Sequence, residues 1–217
     1  DVKDGTDDAN NQYFTQFSGG SRAVELGLIS LSGTKKLGLA LLFSSLLIGL
    51  YLTSAVGLPV LYIGLAGMFL GYFYTAPPLR LVALRGLGEF AIMLAFGPLV
   101  TLGVVYVLTQ TLSWGAFIVG IPVGLLTTNI LLINQFPDME SDMTTGKNHL
   151  VVTFGKKNST WIYFGILALS FIVNLYIWNT FFNENIAFLV VSILSFAFGT
   201  YIWSFIRRDY DKVIYNS

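Results

Sequence analysis

The stretch WGAFIVGIPVGLLTTNILLINQFPDMESDMTTGKNHL, residues 114–150, begins with an apolar run free of charge and then turns abruptly polar. A membrane helix needs roughly 20 mostly apolar residues to cross a hydrocarbon core of about 30 Å, so 114–134 reads as a span and the rest as its exit into water. Working outward, the same test finds 37–56, 58–76, 87–109, 160–182 and 185–206. None of these spans contains Lys, Arg or Asp, and the single acid within them is Glu89. The expectation is an all-α fold, a polytopic transmembrane helix bundle in one domain.

Composition agrees. Of 217 residues 54% are hydrophobic, 15% aromatic and only 11% charged. Soluble domains carry about 25% charged residues, so this chain cannot coat a water-facing surface and belongs in a lipid bilayer. A net charge of zero gives no general attraction to nucleic acid. With no cysteine and one histidine, a thiolate or histidine-cluster metal site is excluded, and any metal must be held by oxygen.

If the six spans alternate across the bilayer, segments 1–36, 77–86, 135–159 and 207–217 share one side, and all 12 basic residues fall there. By the positive-inside rule that side is cytoplasmic. The chain is expected to be an integral membrane protein with its active face toward the cytoplasm. The long polar segments 1–36 and 135–159 are where function is expected. Within the first, residues 21–32 (SRAVELGLISLS) alternate at near-helical spacing and read as a helix lying on the surface or the membrane interface.

Two acidic constellations lie on this side. Asn134, Asp138 and Asp142 recur every four residues, which places them along one face if the fourth span continues as a helix past the bilayer, although Pro137 would kink it. The opening DVKDGTDDAN repeats the spacing with Asp4 and Asp8, and Asp1 lies three before Asp4. Carboxylates gathered on one face repel unless a cation neutralises them. Oxygen-only sites suit Mg²⁺, which keeps waters and takes one or two carboxylates together with substrate phosphates. Two such clusters on one side point to a magnesium-bridged polyphosphate, with Lys147, Arg80 and Lys3 able to hold the remaining phosphate oxygens. Tyr74, at a membrane edge, reads as an interfacial anchor or as an electron-rich ring that stabilises a developing cation. His149, the lone histidine, reads as a hydrogen-bond partner rather than a general base.

The pattern resembles the UbiA superfamily of intramembrane aromatic prenyltransferases. That family carries an NDxxDxxxD motif after its second helix and a DxxxD motif, commonly with Asn four residues before it, after its sixth. Asp1, Asp4 and Asp8 match the first without its asparagine, Asn134, Asp138 and Asp142 match the second, and four spans separate them. The family fold has nine helices, so the resemblance implies that two are absent in front and one behind, and that the chain is a fragment. The stretches FSGGSRAV, LRGLGE and NQFPDMESDMTTGKNHLVVTFG are most similar to 1,4-dihydroxy-2-naphthoate prenyltransferases of menaquinone synthesis. Gly146, Lys147, Asn148 and His149 depart from that group by lacking a second basic residue after the lysine.

The resemblance implies transfer of a polyprenyl group from polyprenyl diphosphate to an aromatic acceptor. Mg²⁺ would be held by Asp4, Asp8, Asp138 and Asp142, the diphosphate by Lys147, Arg80 and Lys3, and the metal or acceptor oriented by Asn134, Asp1 and Glu89. Other acceptors of the superfamily (hydroxybenzoate, haem, chlorophyllide, glycerol phosphate) are alternatives. A cation-coupled transporter would need ionisable groups near mid-span, which these spans lack.

Overall fold

A computed structural model describes residues 23–24 and 27–210. Asp1, Lys3, Asp4 and Asp8, and with them the whole first acidic motif, lie outside the described residues. Within those described the architecture is helical with no strand: α1 (Leu31–Val56), α2 (Pro59–Thr75), a 3-10 turn (Leu81–Ala83), α3 (Leu87–Phe96), α4 (Pro98–Thr109), α5 (Trp114–Thr144), α6 (Leu150–Phe181) and α7 (Ile186–Arg208). Five segments are long and apolar enough to cross a membrane, α3 and α4 counting as one, and α2 is a shorter apolar helix. The chain is an integral membrane protein.

Three boundaries differ from the sequence expectation, each for a local reason. The span at 87–109 is broken at Gly97 (φ −111°, ψ −93°). Pro98 follows, and a proline both lacks an N–H and disfavours α geometry in the residue before it. The stretch 21–32 is not one helix where it is described: residues 23–24 and 27–29 form turns and bends, Gly27 has φ +70°, and Ser30 caps α1 by accepting a hydrogen bond from the Gly33 N–H at 3.0 Å, so only Leu31 and Ser32 are helical, as the first residues of α1. A glycine in the left-handed region is a chain reversal that the apolar spacing alone does not register. The expected span at 160–182 begins earlier, at Leu150, with a kink at Gly155 (φ 76°, ψ 158°).

The central helix is α5, which packs against α3, α4 and α6, while α7 packs on α6 and α1 on α2. The largest buried cluster joins Leu132 and Phe136 of α5 to Val151, Tyr163 and Leu167 of α6 and Ile206 of α7. Helices α1 and α2 bury no residue, and side chains such as Phe43, Tyr62 and Leu108 are exposed, as expected where the surrounding medium is hydrocarbon. Since lipid offers no hydrophobic drive to bring helices together, close backbone approach and hydrogen bonds must do so. Tyr106 Oη donates to the Val56 carbonyl at 2.9 Å, tying α4 to the end of α1, and Asn129 Nδ2 donates to the Tyr163 carbonyl at 3.1 Å, tying α5 to α6.

Where α3 gives way to α4, the backbone lies directly on α5. A Cβ added at Gly97 would meet the Gly120 carbonyl and the Gly124 backbone, and one added at Gly124 would meet the Met93 carbonyl. At Gly67, on α2, a Cβ would meet nothing within 4 Å. Gly124→Ala is therefore expected to destabilise the bundle by about 1–3 kcal/mol through overpacking, lowering the melting temperature in detergent. Gly67→Ala should leave it unchanged or slightly higher. Equal melting of the two variants would contradict the close contact.

Candidate active site

The 31 residues of α5 make a helix about 46 Å long, longer than the hydrocarbon core is thick. It therefore carries its C-terminal end beyond the apolar layer, and Pro137 lies within it without ending it. Residues 134, 138 and 142 consequently share one face. Asn134, Asp138 and Asp142 all line a cavity of about 170 Å³, whose wall is completed by Tyr74 and Thr75 from the end of α2, Val82, Leu131, Gln135, Lys147 and His149.

The turn after α5 places the lysine. Gly146 adopts φ +73°, its N–H donates to the Met143 carbonyl at 3.4 Å, and the Lys147 N–H donates to the Asp142 carbonyl at 3.0 Å. This pair of bonds is a Schellman closure with glycine in its left-handed position, and it folds Lys147 back over the last turn of the helix. Lys147 Nζ then pairs with Asp142 Oδ1 at 3.0 Å. The other carboxylate oxygen, Oδ2, lies 3.1 Å from His149 Nε2. His149 is itself the N-cap of α6, its Nδ1 accepting from the Val152 N–H at 3.4 Å. An Nδ1 that accepts carries no proton, so Nε2 holds it and donates to Asp142. All three side chains are buried, with Lys147 8%, Asp142 7% and His149 1% exposed. One carboxylate thus joins the end of α5, the connecting turn and the start of α6.

A second buried acid stands behind the cavity wall. Glu89, in the first turn of α3, accepts at Oε1 from Gln135 Nε2 at 3.0 Å and from the Leu150 N–H at 2.9 Å. The first N–H of α6 has no acceptor within its own helix, and the Glu89 carboxyl oxygen supplies one. Glu89 thus holds α3, α5 and α6 in register at the level of the site.

Of the residues expected from sequence, the fold brings Tyr74, Asn134, Asp138, Asp142 and Lys147 around one cavity. Glu89 reaches it through Gln135. Arg80, which starts the 3-10 turn with φ 43°, is not among the lining residues. Asp1, Lys3, Asp4 and Asp8 are not described. Gln135 was missed by sequence reasoning, although its place between Asn134 and Phe136 at the end of an apolar run was a usable signal. His149 is the hydrogen-bond partner that its isolation suggested. Among the described residues no group of three or more His, Cys, Asp or Glu side chains is placed to hold a metal by itself.

A family model, the UbiA prenyltransferase family, matches residues 19–215. The 2-carboxy-1,4-naphthoquinone phytyltransferase of Synechocystis sp. is 38% identical over 115 residues, 53% of this chain and 35% of the relative. The 1,4-dihydroxy-2-naphthoate octaprenyltransferase of Bacillus subtilis is 31% identical over 143 residues, 66% of this chain and 44% of the relative. The chloroplastic chlorophyll synthase of Avena sativa is 28% identical over 115 residues, 51% of this chain and 29% of the relative. These matches span less than half the length of each relative. No solved structure matches the chain at a significant level.

Replacing Glu89 by Ala removes the acceptor of one buried and one half-buried donor, and a buried donor left unpaired costs about 1–3 kcal/mol. Glu89→Ala should therefore lower the melting temperature in detergent by several degrees, while Glu184→Ala, at an exposed turn, should leave it in place. Identical melting of the two would show that Glu89 does not hold the three helices.

Proposed function

The chain belongs to the UbiA prenyltransferase family, and from that premise we propose that it transfers a polyprenyl group from polyprenyl diphosphate to an aromatic acceptor, 1,4-dihydroxy-2-naphthoate, in menaquinone synthesis. The observation that carries this reading is the set of Asn134, Asp138, Asp142, Lys147 and Tyr74 around one cavity at the polar end of an apolar bundle. The similarity to naphthoate prenyltransferases supports the acceptor. Similarity to chlorophyll synthase supports a chlorophyllide-type acceptor as the second reading.

The donor set suits a hard cation shared with a phosphate, since it offers carboxylate and amide oxygens beside an ammonium group. Asp138 and Asn134, with Asp4 and Asp8 of the opening segment, would hold Mg²⁺, which would neutralise the charge of the diphosphate. Lys147 adds a charge-assisted hydrogen bond to a phosphate oxygen. In this arrangement Asp142, expected from sequence as a metal ligand, has both oxygens engaged by Lys147 and His149. It would hold Lys147 at the cavity wall, and the lone pair left on each oxygen would still serve the cation.

Chemically, the allylic C–O bond breaks with its electron pair leaving on diphosphate, and a ring carbon of the acceptor forms a C–C bond to the allylic carbon. With a dihydroxynaphthoate, the ring carboxylate leaves as carbon dioxide. Tyr74, which lines the cavity, would stabilise the cationic carbon with its electron-rich ring, and the surrounding apolar helices would keep water away from it. The isoprenoid tail lies along apolar side chains below the cavity. The reading places this face toward the cytoplasm of a prokaryotic cell, where the basic residues gather.

Asp138→Asn should abolish formation of labelled prenyl-naphthoquinol in liposomes without altering membrane insertion. Lys147→Met should lower kcat/KM about 100-fold, the scale of losing one charge-stabilising donor. A chelator should stop turnover and added Mg²⁺ restore it. Product formation that persists in excess chelator would remove the metal from the mechanism.

A further inference from the structure

A second cluster lies away from the cavity, where α6 and α7 emerge side by side. The Arg207 guanidinium carbon sits 4.8 Å from the centre of the Trp161 ring and 5.3 Å from that of Trp203. The two indoles are 5.1 Å apart, and Trp203 packs on Phe164 at 4.6 Å. Both helices present the same order: Lys157 precedes Trp161 by four residues in α6, and Arg207 follows Trp203 by four in α7. The helices run antiparallel, so each tryptophan lies one turn deeper in the bundle than its cation.

Lys157, Arg207 and Arg208 are all exposed, and among the described residues none of the three forms an ion pair. Three cations outnumber Asp209, the acid that follows Arg208 at this corner of a chain with zero net charge, and leave a local demand for an anion. The corner is also partly apolar. Trp161, which carries the guanidinium, is 49% exposed. Tryptophan beside a cation at the end of a span is the chemistry of the headgroup layer. Stacking on two indoles fixes the plane of the guanidinium, leaving its N–H edge available for the paired hydrogen bonds that phosphate accepts.

We propose that Arg207, Lys157 and Arg208, on the Trp161–Trp203 platform, form a binding site for the phosphate of an anionic phospholipid headgroup, with an acyl chain lying against the exposed Trp161 ring below. A free phosphate would meet the same cations but has no apolar part for that face. The site is independent of the prenyl-transfer reading, because none of its residues lines the cavity.

The test is retention of lipid by the full chain after extraction from bilayers of equal phosphatidylglycerol and phosphatidylcholine, read by native mass spectrometry. Wild type is expected to retain phosphatidylglycerol in excess. R207Q and K157Q should each reduce that excess about fivefold, the scale of one basic residue at an anionic surface, with R207K keeping more of it than R207Q. Excess glycerol phosphate should leave it unchanged. Lys157 is exposed, so K157Q is expected to keep the wild-type melting temperature while losing lipid, whereas R207Q also gives up its stacking on two indoles and should melt slightly lower. Equal retention of the two lipids by wild type would overturn the proposal. So would an excess that survives in the R207Q/K157Q double variant, or displacement by glycerol phosphate.

Discussion

The Asp142 carboxylate, bonded to Lys147 on one oxygen and His149 on the other, is the interaction on which the polar end of this bundle depends. Taking a carboxylate out of water is costly unless it is paired and hydrogen-bonded, and here each oxygen has a donor. The consequence is geometric. The turn after α5 must close tightly enough to return the lysine, which Gly146 permits, and α6 must start where His149 can cap it. Two helices that lipid alone would not orient are thereby fixed at the place where the other cavity residues converge.

A second constraint acts from the apolar side. The break at Gly97 and the close approach of Gly120 and Gly124 let the α3–α4 span lie against α5, which brings Glu89 within reach of Gln135 and the Leu150 amide. Glycine packing in the hydrocarbon layer and ion pairing above it therefore support the same cavity. A bundle loosened at one level would lose alignment at the other, because α5 is common to both.

Much of this was legible in the sequence, and the limits have physical causes. The spans were readable because lipid exposure leaves no polar face, so α1 and α7 appear as plain apolar runs. The common face of Asn134, Asp138 and Asp142 follows from helical periodicity, once α5 is known to continue through Pro137. What periodicity does not encode is backbone specialisation: the break before Pro98, the kink at Gly155 and the reversal at Gly27 each depend on one residue's dihedral angles. Nor does it encode partnership. That Asp142 holds Lys147 and His149, and that Gln135 joins Glu89 to the cavity, arises from contacts between segments that spacing treats separately.

The central claim is that this cavity accepts a diphosphate head together with a divalent cation. It is tested most directly by calorimetric titration of the membrane-reconstituted protein with an unreactive prenyl thiolodiphosphate, with and without Mg²⁺. The account predicts saturable binding that requires Mg²⁺ and is lost on changing Asp138 to Asn. Binding of equal strength in the absence of any divalent cation, or undiminished by that change, would contradict it.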